Sequence, residues 1–351
     1  MNATLNFSQY LARVNFALDN NIPVIIKSGP GEGKTQTCKQ IADDRKAKTV
    51  IACTCPKRKK ALEKKGFKCF LVINAVNKNP SHVNGLPHMT EEGASFAFYD
   101  FMRMIFEATE ELIVVIDDML LATQLMQGSF MNLIEERAID GKAIPDCVKF
   151  LITTNEAGQN AGSGSILSAL INRGIILDFP RDASNWIKWG VQNNVSKKVL
   201  LFIHAFNDDL YSERYPKGIT AFPSPRSWTK AGKFIEGGFQ DSVTLAGLVG
   251  IEVATKASAF FDNIDKFGNV WAKIKADPDT APIQSNVSDI YAVLMICANK
   301  FEKVNVDKIV QYFKRYGNDE LISILFAIGT SSFPDSKESK AYIDHVASNV
   351  A

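Results

Sequence analysis

Residues 28–35 read Ser-Gly-Pro-Gly-Glu-Gly-Lys-Thr and follow the apolar run Pro23-Val24-Ile25-Ile26. Three glycines beside one lysine and one threonine suit the holding of phosphate. Glycines let successive backbone N–H groups turn inward into an anion-binding nest. A helix starting near Thr35 would add unsatisfied N–H groups and a positive dipole end. Lys34 would bring a full charge to the outer phosphates, and the Thr35 hydroxyl is placed to ligate Mg²⁺. The pattern is the phosphate loop GxxxxGK[ST], with Ser28 in the first glycine position. Ser28, Gly29, Pro30, Gly31, Glu32, Gly33, Lys34, Thr35 and the following Gln36 are therefore the candidate nucleotide-binding residues.

A phosphate loop needs a second strand ending in a carboxylate near the metal. Residues 111–118, Glu-Leu-Ile-Val-Val-Ile-Asp-Asp, meet that need. So dense an apolar run predicts a strand buried on both faces. Its carboxyl end is where ligands bind in open α/β sheets. Asp117 is the expected Mg²⁺ partner, and Asp118 is placed to orient or deprotonate an attacking water.

The elements that must position these groups alternate. Candidate strands lie at 24–26, 50–53, 70–76, 112–116, 150–153 and 175–179, with helical patterns at 35–45, 98–107 and 129–137 between them. Strands alternating with helices predict a parallel sheet flanked by helices. After Pro180 the strand-like runs stop and helical periodicity takes over, at 196–207, 227–235 and 286–301. The expected division is an α/β nucleotide-binding core over 1–182 and an all-α region over 183–351. Residues 275–284, with Pro278 and Pro282, read as a loop. Ser224 suits a helix N-cap and Pro225 the first helical position, which puts Arg226 in the first turn.

Composition narrows the class. The 351 residues are 46% hydrophobic and 22% charged with net charge +2, a folded chain too balanced to argue for nucleic acid or an anionic membrane. No apolar run approaches the ~18 residues of a membrane span, and residues 1–16 lack the pattern of a secretory signal. Six scattered cysteines suit a reducing compartment. Cys53, Cys55, Cys69, His82 and His88 fit no paired zinc-ligand spacing, so buried or half-buried thiols are expected instead. Residues 57–65, KRKKALEKK, read as a solvated helix face or an exposed loop.

The pairing of GPGEGKT with IVVIDD resembles the AAA+ ATPases. Further segments resemble the MoxR-like, dynein-related branch, several of whose members are phage-encoded. Residues 79–87 (NPSHVNGLP) are similar to its P-x-D-x-x-G-x-P segment, with His82 where the aspartate usually stands. Residues 150–155 (FLITTN) are similar to its sensor 1 strand, and 167–173 (LSALINR) to its arginine-finger segment. Residues 185–189 and 222–228 are similar to the lid entry and the sensor 2 helix, and the likeness runs on through 248–251 to 315–317.

The resemblance implies an AAA+ core followed by a helical lid. It implies that Asn155 bridges the γ-phosphate and the attacking water, and that Arg173 faces a neighbouring subunit's nucleotide, with Arg137 a second candidate for an intersubunit contact. Arg226 would then reach the β- and γ-phosphates from the lid, with Trp186, Trp189 and Trp228 as lid-packing anchors. ATP and Mg²⁺, a homo-oligomeric ring of six, a cytoplasmic setting in a bacterial or phage-infected cell, and a protein partner such as a von Willebrand A-domain protein complete the expectation. One departure stands out. Relatives carry Asp-Glu where this chain has Asp117-Asp118, and Asp is shorter by about 1.5 Å. Three functions are open: an ATP-driven remodeller, a nucleotide-gated scaffold with slow hydrolysis, and a nucleic-acid motor resting only on the basic run at 57–65.

Overall fold

The computed structural model describes residues 5–45, 48–51, 69–91, 93–155, 172–213, 215–216, 218–264, 267 and 269–350. The basic run at 57–65, Cys53, Cys55 and residues 167–171 of the finger segment lie outside these. The chain divides into two compact units, 1–181 and 182–351.

In the first unit, helix α1 (Phe7–Asp19) precedes strand β1 (Val24–Ser28) and helix α2 (Lys34–Asp44). Strands β2 (Lys48–Ile51) and β3 (Cys69–Asn74) follow, then helix α3 (Pro80–Asn84) and the hairpin of β4 (Leu86–Thr90) and β5 (Gly93–Ala97). Helix α4 (Asp100–Phe106), strand β6 (Leu112–Asp117) and helix α5 (Gln124–Glu135) come next. A second hairpin, β7 (Ala138–Ile139) and β8 (Lys142–Ala143), leads to β9 (Val148–Asn155) and β10 (Ile175–Asp178). Six strands form one sheet in the order β10-β1-β9-β6-β3-β2, every pair parallel. All six strands expected from the sequence are in it.

The central strands β1, β6 and β9 are largely buried on both faces, and period-two alternation divides their side chains. Leu112, Val114 and Ile116 join Leu71, Ile73, Phe150, Ile152 and residues of α4 and α5 on one face. Ile113 and Val115 join Val24, Ile26, Leu151 and residues of α1 and α2 on the other. β6 is buried through Ile116 and becomes half-exposed only at Asp117. Hydrophobic burial thus fixes the depth of the strand and leaves its acidic end at the sheet rim.

Both hairpins went unread in the sequence. β7–β8 turns on Asp140-Gly141, both at positive φ (49° and 74°), the Asp-Gly signal of a two-residue turn. β4 and β5 are exposed along their whole length, so no apolar alternation marks them. His82 has a local structural role. Its Nδ1 accepts the Asn79 N–H at 3.0 Å, closing the cap of α3 as a carboxylate would, and its ring stacks on Tyr99.

The second unit is helical throughout its described residues, from Ala183–Gln192 (α6) and Lys197–Ala205 (α7) to Pro225–Glu236 (α8) and onward to Lys340–Val350. One core holds it together, with Trp228 fully buried among Phe202, Phe260 and Phe261. Trp228 Nε1 donates to the Asp209 carbonyl at 2.8 Å. Trp186 lies in this core and Trp189 packs on it. The central parallel sheet flanked by helices, followed by an all-helical region, is the architecture expected above.

Candidate functional site

β1 is buried from Val24 to Ile26 and delivers Ser28 to the sheet rim. The loop then turns twice through glycine, Gly31 at φ 79° and Gly33 at φ 109°. Gly33 is the residue before α2, and a Cβ there would meet nothing within 4 Å. The glycine is needed for its backbone angle, not for space. α2 begins at Lys34, so the first helical N–H groups face the loop's concavity, as an anion nest requires.

Lys34 is 7% exposed. Its amine donates to the carbonyls of Ser28 (3.2 Å) and Gly29 (2.9 Å), to Ser28 Oγ (3.2 Å) and to Asn155 Oδ1 (2.8 Å). Ser28 stands where a glycine is usual, and its hydroxyl helps to hold the lysine. Asn155 is brought there by register. Strand β9 is inserted between β1 and β6, and Asn155 pairs with Ser28 across it. The asparagine amide is thus tied to the lysine it would share a phosphate with.

The acidic end meets the same loop. Thr35 Oγ1 donates to Asp117 Oδ1 at 2.9 Å. A hydroxyl and a carboxylate make an all-oxygen donor set, which fits Mg²⁺ and not a softer metal. Thr35 and Asp117 would hold the ion, and it would neutralise charge on phosphate oxygens. Thr153 joins the pair: its Oγ1 donates to Asp117 Oδ1 and accepts the Asp118 N–H at 3.1 Å. One hydroxyl therefore orients the metal carboxylate and the backbone of the next acid. Sequence reasoning passed over Thr153. The sequence signal was two threonines directly after the apolar run Phe150-Leu151-Ile152; both are buried, and buried hydroxyls need partners.

Asp118 follows the strand in the left-handed region, φ 56° and ψ 43°, which turns the chain into a short helical turn at Met119–Leu121. Cys38 lies on α2 beneath the site. Burial, then the negative charge of Asp117, pushes its thiol well above the ordinary range, so it stays protonated and unreactive.

Gln36 is exposed on α2. Arg173 forms an ion pair with Glu135 at the end of α5, both partly exposed. Arg137 donates to the carbonyls of Pro145 (2.8 Å) and Val148 (3.1 Å) and lies over the Phe150 ring, so its guanidinium is engaged in bracing β9. Arg226 is exposed in the first turn of α8 in the second unit, behind the Ser224 cap. Glu32 is 4% exposed and pairs with Arg181 through Nε (3.0 Å) and a terminal nitrogen (2.7 Å), an ion pair with no warning in the sequence.

No protein-family model and no curated protein matches the chain. Solved structures with some likeness include RuvB of Thermotoga maritima, K64R mutant, at 13% identity over 83% of this chain and 88% of that one, TM-score 0.41. NtrX of Brucella abortus is 10% identical over 79% of this chain and 65% of that one, TM-score 0.42. A presumed ATPase of Cytophaga hutchinsonii is 11% identical over 59% of this chain, TM-score 0.33, and only 65% of its length is spanned. Likenesses this distant carry no functional argument.

Proposed function

We propose that the chain is an ATPase of the AAA+ type, which binds ATP with Mg²⁺ at the phosphate loop and hydrolyses it at subunit interfaces of a homo-oligomeric ring. One observation carries the reading: the folding of β9 between β1 and β6 joins Lys34 to Asn155 while Thr35 meets Asp117. A polar constellation drawn from two strand ends and a helix start, beside a glycine nest, has the chemistry of a triphosphate site.

In this reading the loop N–H groups and Lys34 bind the phosphates. Thr35 and Asp117 hold the metal, and Thr153 fixes the Asp117 carboxylate. Asn155 orients the attacking water with its amide. Asp118 takes a proton from that water as its oxygen bonds to the terminal phosphorus and the bond to the bridging oxygen breaks. Arg173 supports the developing charge from a neighbouring subunit, which requires it to leave Glu135. A partly exposed ion pair of this kind is worth about 1 kcal/mol or less, so its release costs little against the 10³ to 10⁵ in rate an arginine finger can supply. Arg226 reports nucleotide state to the second unit. The family resemblance supports a ring of six, a cytoplasmic setting, and remodelling of a protein partner such as a von Willebrand A-domain protein.

A second reading, a nucleotide-gated scaffold with slow turnover, is favoured by Asp118 itself, whose short side chain projects from a left-handed residue.

Calorimetry tests the common premise. ATP and ADP with Mg²⁺ should bind the wild type, and Lys34→Ala should bind at least 100-fold more weakly, the scale of a lost charge-assisted contact. Absence of binding by any adenine or guanine nucleotide removes the reading.

A further inference from the structure

The helical unit encloses a hydrogen-bonded pair of titratable side chains. Helix α7 carries a run of buried apolar residues, Val199 to Ile203, and then His204 in its last turn. The imidazole is half-buried. Its Nδ1 lies 2.5 Å from the hydroxyl oxygen of Tyr291, on the helix Val287–Ala298. Tyr291 is 7% exposed and belongs to the same core, its ring 6.4 Å from that of Phe260. The bond therefore crosses from one packed helix to another at the edge of that core.

Burial, then the negative charge of Glu320, raises the Tyr291 phenol well above its ordinary range. It keeps its hydrogen and is the donor of the pair. Glu320 stands in the first turn of the helix Asp319–Ser332 and, among the described residues, is the charged group that acts on the imidazole. Glu320 and the end of α7 both favour a cation there, but burial is the larger influence and holds His204 below the ordinary histidine range. Charged groups on the other elements packed against α7 are engaged or exposed. Glu236 of α8 accepts from Ser196 Oγ at 2.6 Å, Asp209 pairs with Lys256, and Lys188 of α6 and Asp208 are exposed.

We propose that His204 and Tyr291 form an acid-sensitive joint in the helical unit: a proton taken from solvent by the imidazole reverses the hydrogen bond they share and loosens α7 from the helix Val287–Ala298. In the neutral ring Nδ1 accepts the Tyr291 hydrogen. In the protonated ring both nitrogens are donors. The phenol oxygen must then accept, and its hydrogen turns toward apolar neighbours that offer no acceptor. The direction of the response follows from linkage. In an opened chain the ring titrates near about pH 6.5, and in the folded unit it titrates lower. The open form therefore takes up the proton more readily. The joint is fully stable above about pH 6.5 and weakens as the pH falls below it. Nothing in it depends on the nucleotide site.

Amide hydrogen exchange of the full chain tests this at about pH 7.5 and about pH 5.5, with the intrinsic pH dependence of exchange removed. The wild type is compared with His204→Gln, whose amide oxygen can still accept from Tyr291 but takes up no proton. Protection over 197–205 and 287–298 should fall by about three- to tenfold in the wild type, since tenfold is the most a ring titrating near 6.5 supplies one pH unit lower. In the variant it should fall by less than about twofold. Equal losses in the two chains would overturn the proposal, and so would a wild type whose protection does not change. If His204→Gln does not fold, the imidazole resonances of the wild type decide. One of the four histidines should titrate below about pH 6.5 and should move upward in Tyr291→Phe, which deletes the donor to the neutral ring. All four titrating at or above about 6.5, or a low-titrating ring that Tyr291→Phe leaves unmoved, would overturn it as well.

Discussion

Asp118 occupies a backbone region that costs most residues about 1 kcal/mol or more and that Asp tolerates better than most. Its φ of 56° decides where the carboxylate goes, and its length decides how far. Lengthening it by one methylene should restore reach. Asp118→Glu is expected to raise phosphate release by about tenfold or more, since a misplacement of about 1 Å can cost 10²-fold, while nucleotide affinity stays put. A brisk wild type that the change slows would remove the scaffold reading. Thr153 makes a separate prediction. Thr153→Val keeps the shape but deletes the hydroxyl shared by Asp117 and the Asp118 N–H. Mg²⁺ dependence of nucleotide binding should shift to about 10- to 100-fold higher metal concentration, the usual effect of removing a ligand's support. An unmoved Mg²⁺ titration would show that the hydroxyl does not hold the metal carboxylate. Thr153 was hidden at the level of sequence because its two partners lie on the neighbouring strand, and register is a tertiary fact.

The strand–loop–helix element of the phosphate loop was legible residue by residue, since its glycines, lysine and hydroxyl have no better local explanation. Gly33→Ala tests the local logic. There is room for the methyl group, so the penalty is conformational, about 1–3 kcal/mol for a non-glycine residue at φ 109°. The variant is expected to fold and to bind ADP at least tenfold more weakly, because the backbone relaxes away from the nest. Wild-type affinity would show that the loop's N–H groups do not carry the binding. The helix read at 129–137 in fact spans Gln124–Glu135. Thr123 caps it early by accepting the Met126 N–H, and Arg137 ends it by entering the left-handed region at φ 45°. The Ser224 cap with Pro225 was read correctly, but this start and stop were not, because a threonine before an apolar run is common and positive φ at arginine has no sequence mark.

At the scale of the whole molecule, the question is whether one chain is enough. Arg173 is held by Glu135 of its own chain and Lys34 by its own loop and Asn155. If catalysis crosses an interface, each residue is needed on a different subunit. Arg173→Ala should then bind ATP normally without turnover, Lys34→Ala should neither bind nor turn over, and a mixture should regain part of the activity. No recovery of phosphate release at any mixing ratio would argue against a shared site.

The sequence by itself determined the succession of the six sheet strands, the phosphate loop and the acidic strand end, because hydrophobic period and glycine chemistry are local properties of a chain. It could not say that β9 would enter between β1 and β6, that Asn155 would therefore lie beside Ser28, or that Glu32 would find Arg181. The last two contacts join residues more than a hundred positions apart. They exist only once burial of both sheet faces has chosen the strand order, which brings polar groups at the strand ends together.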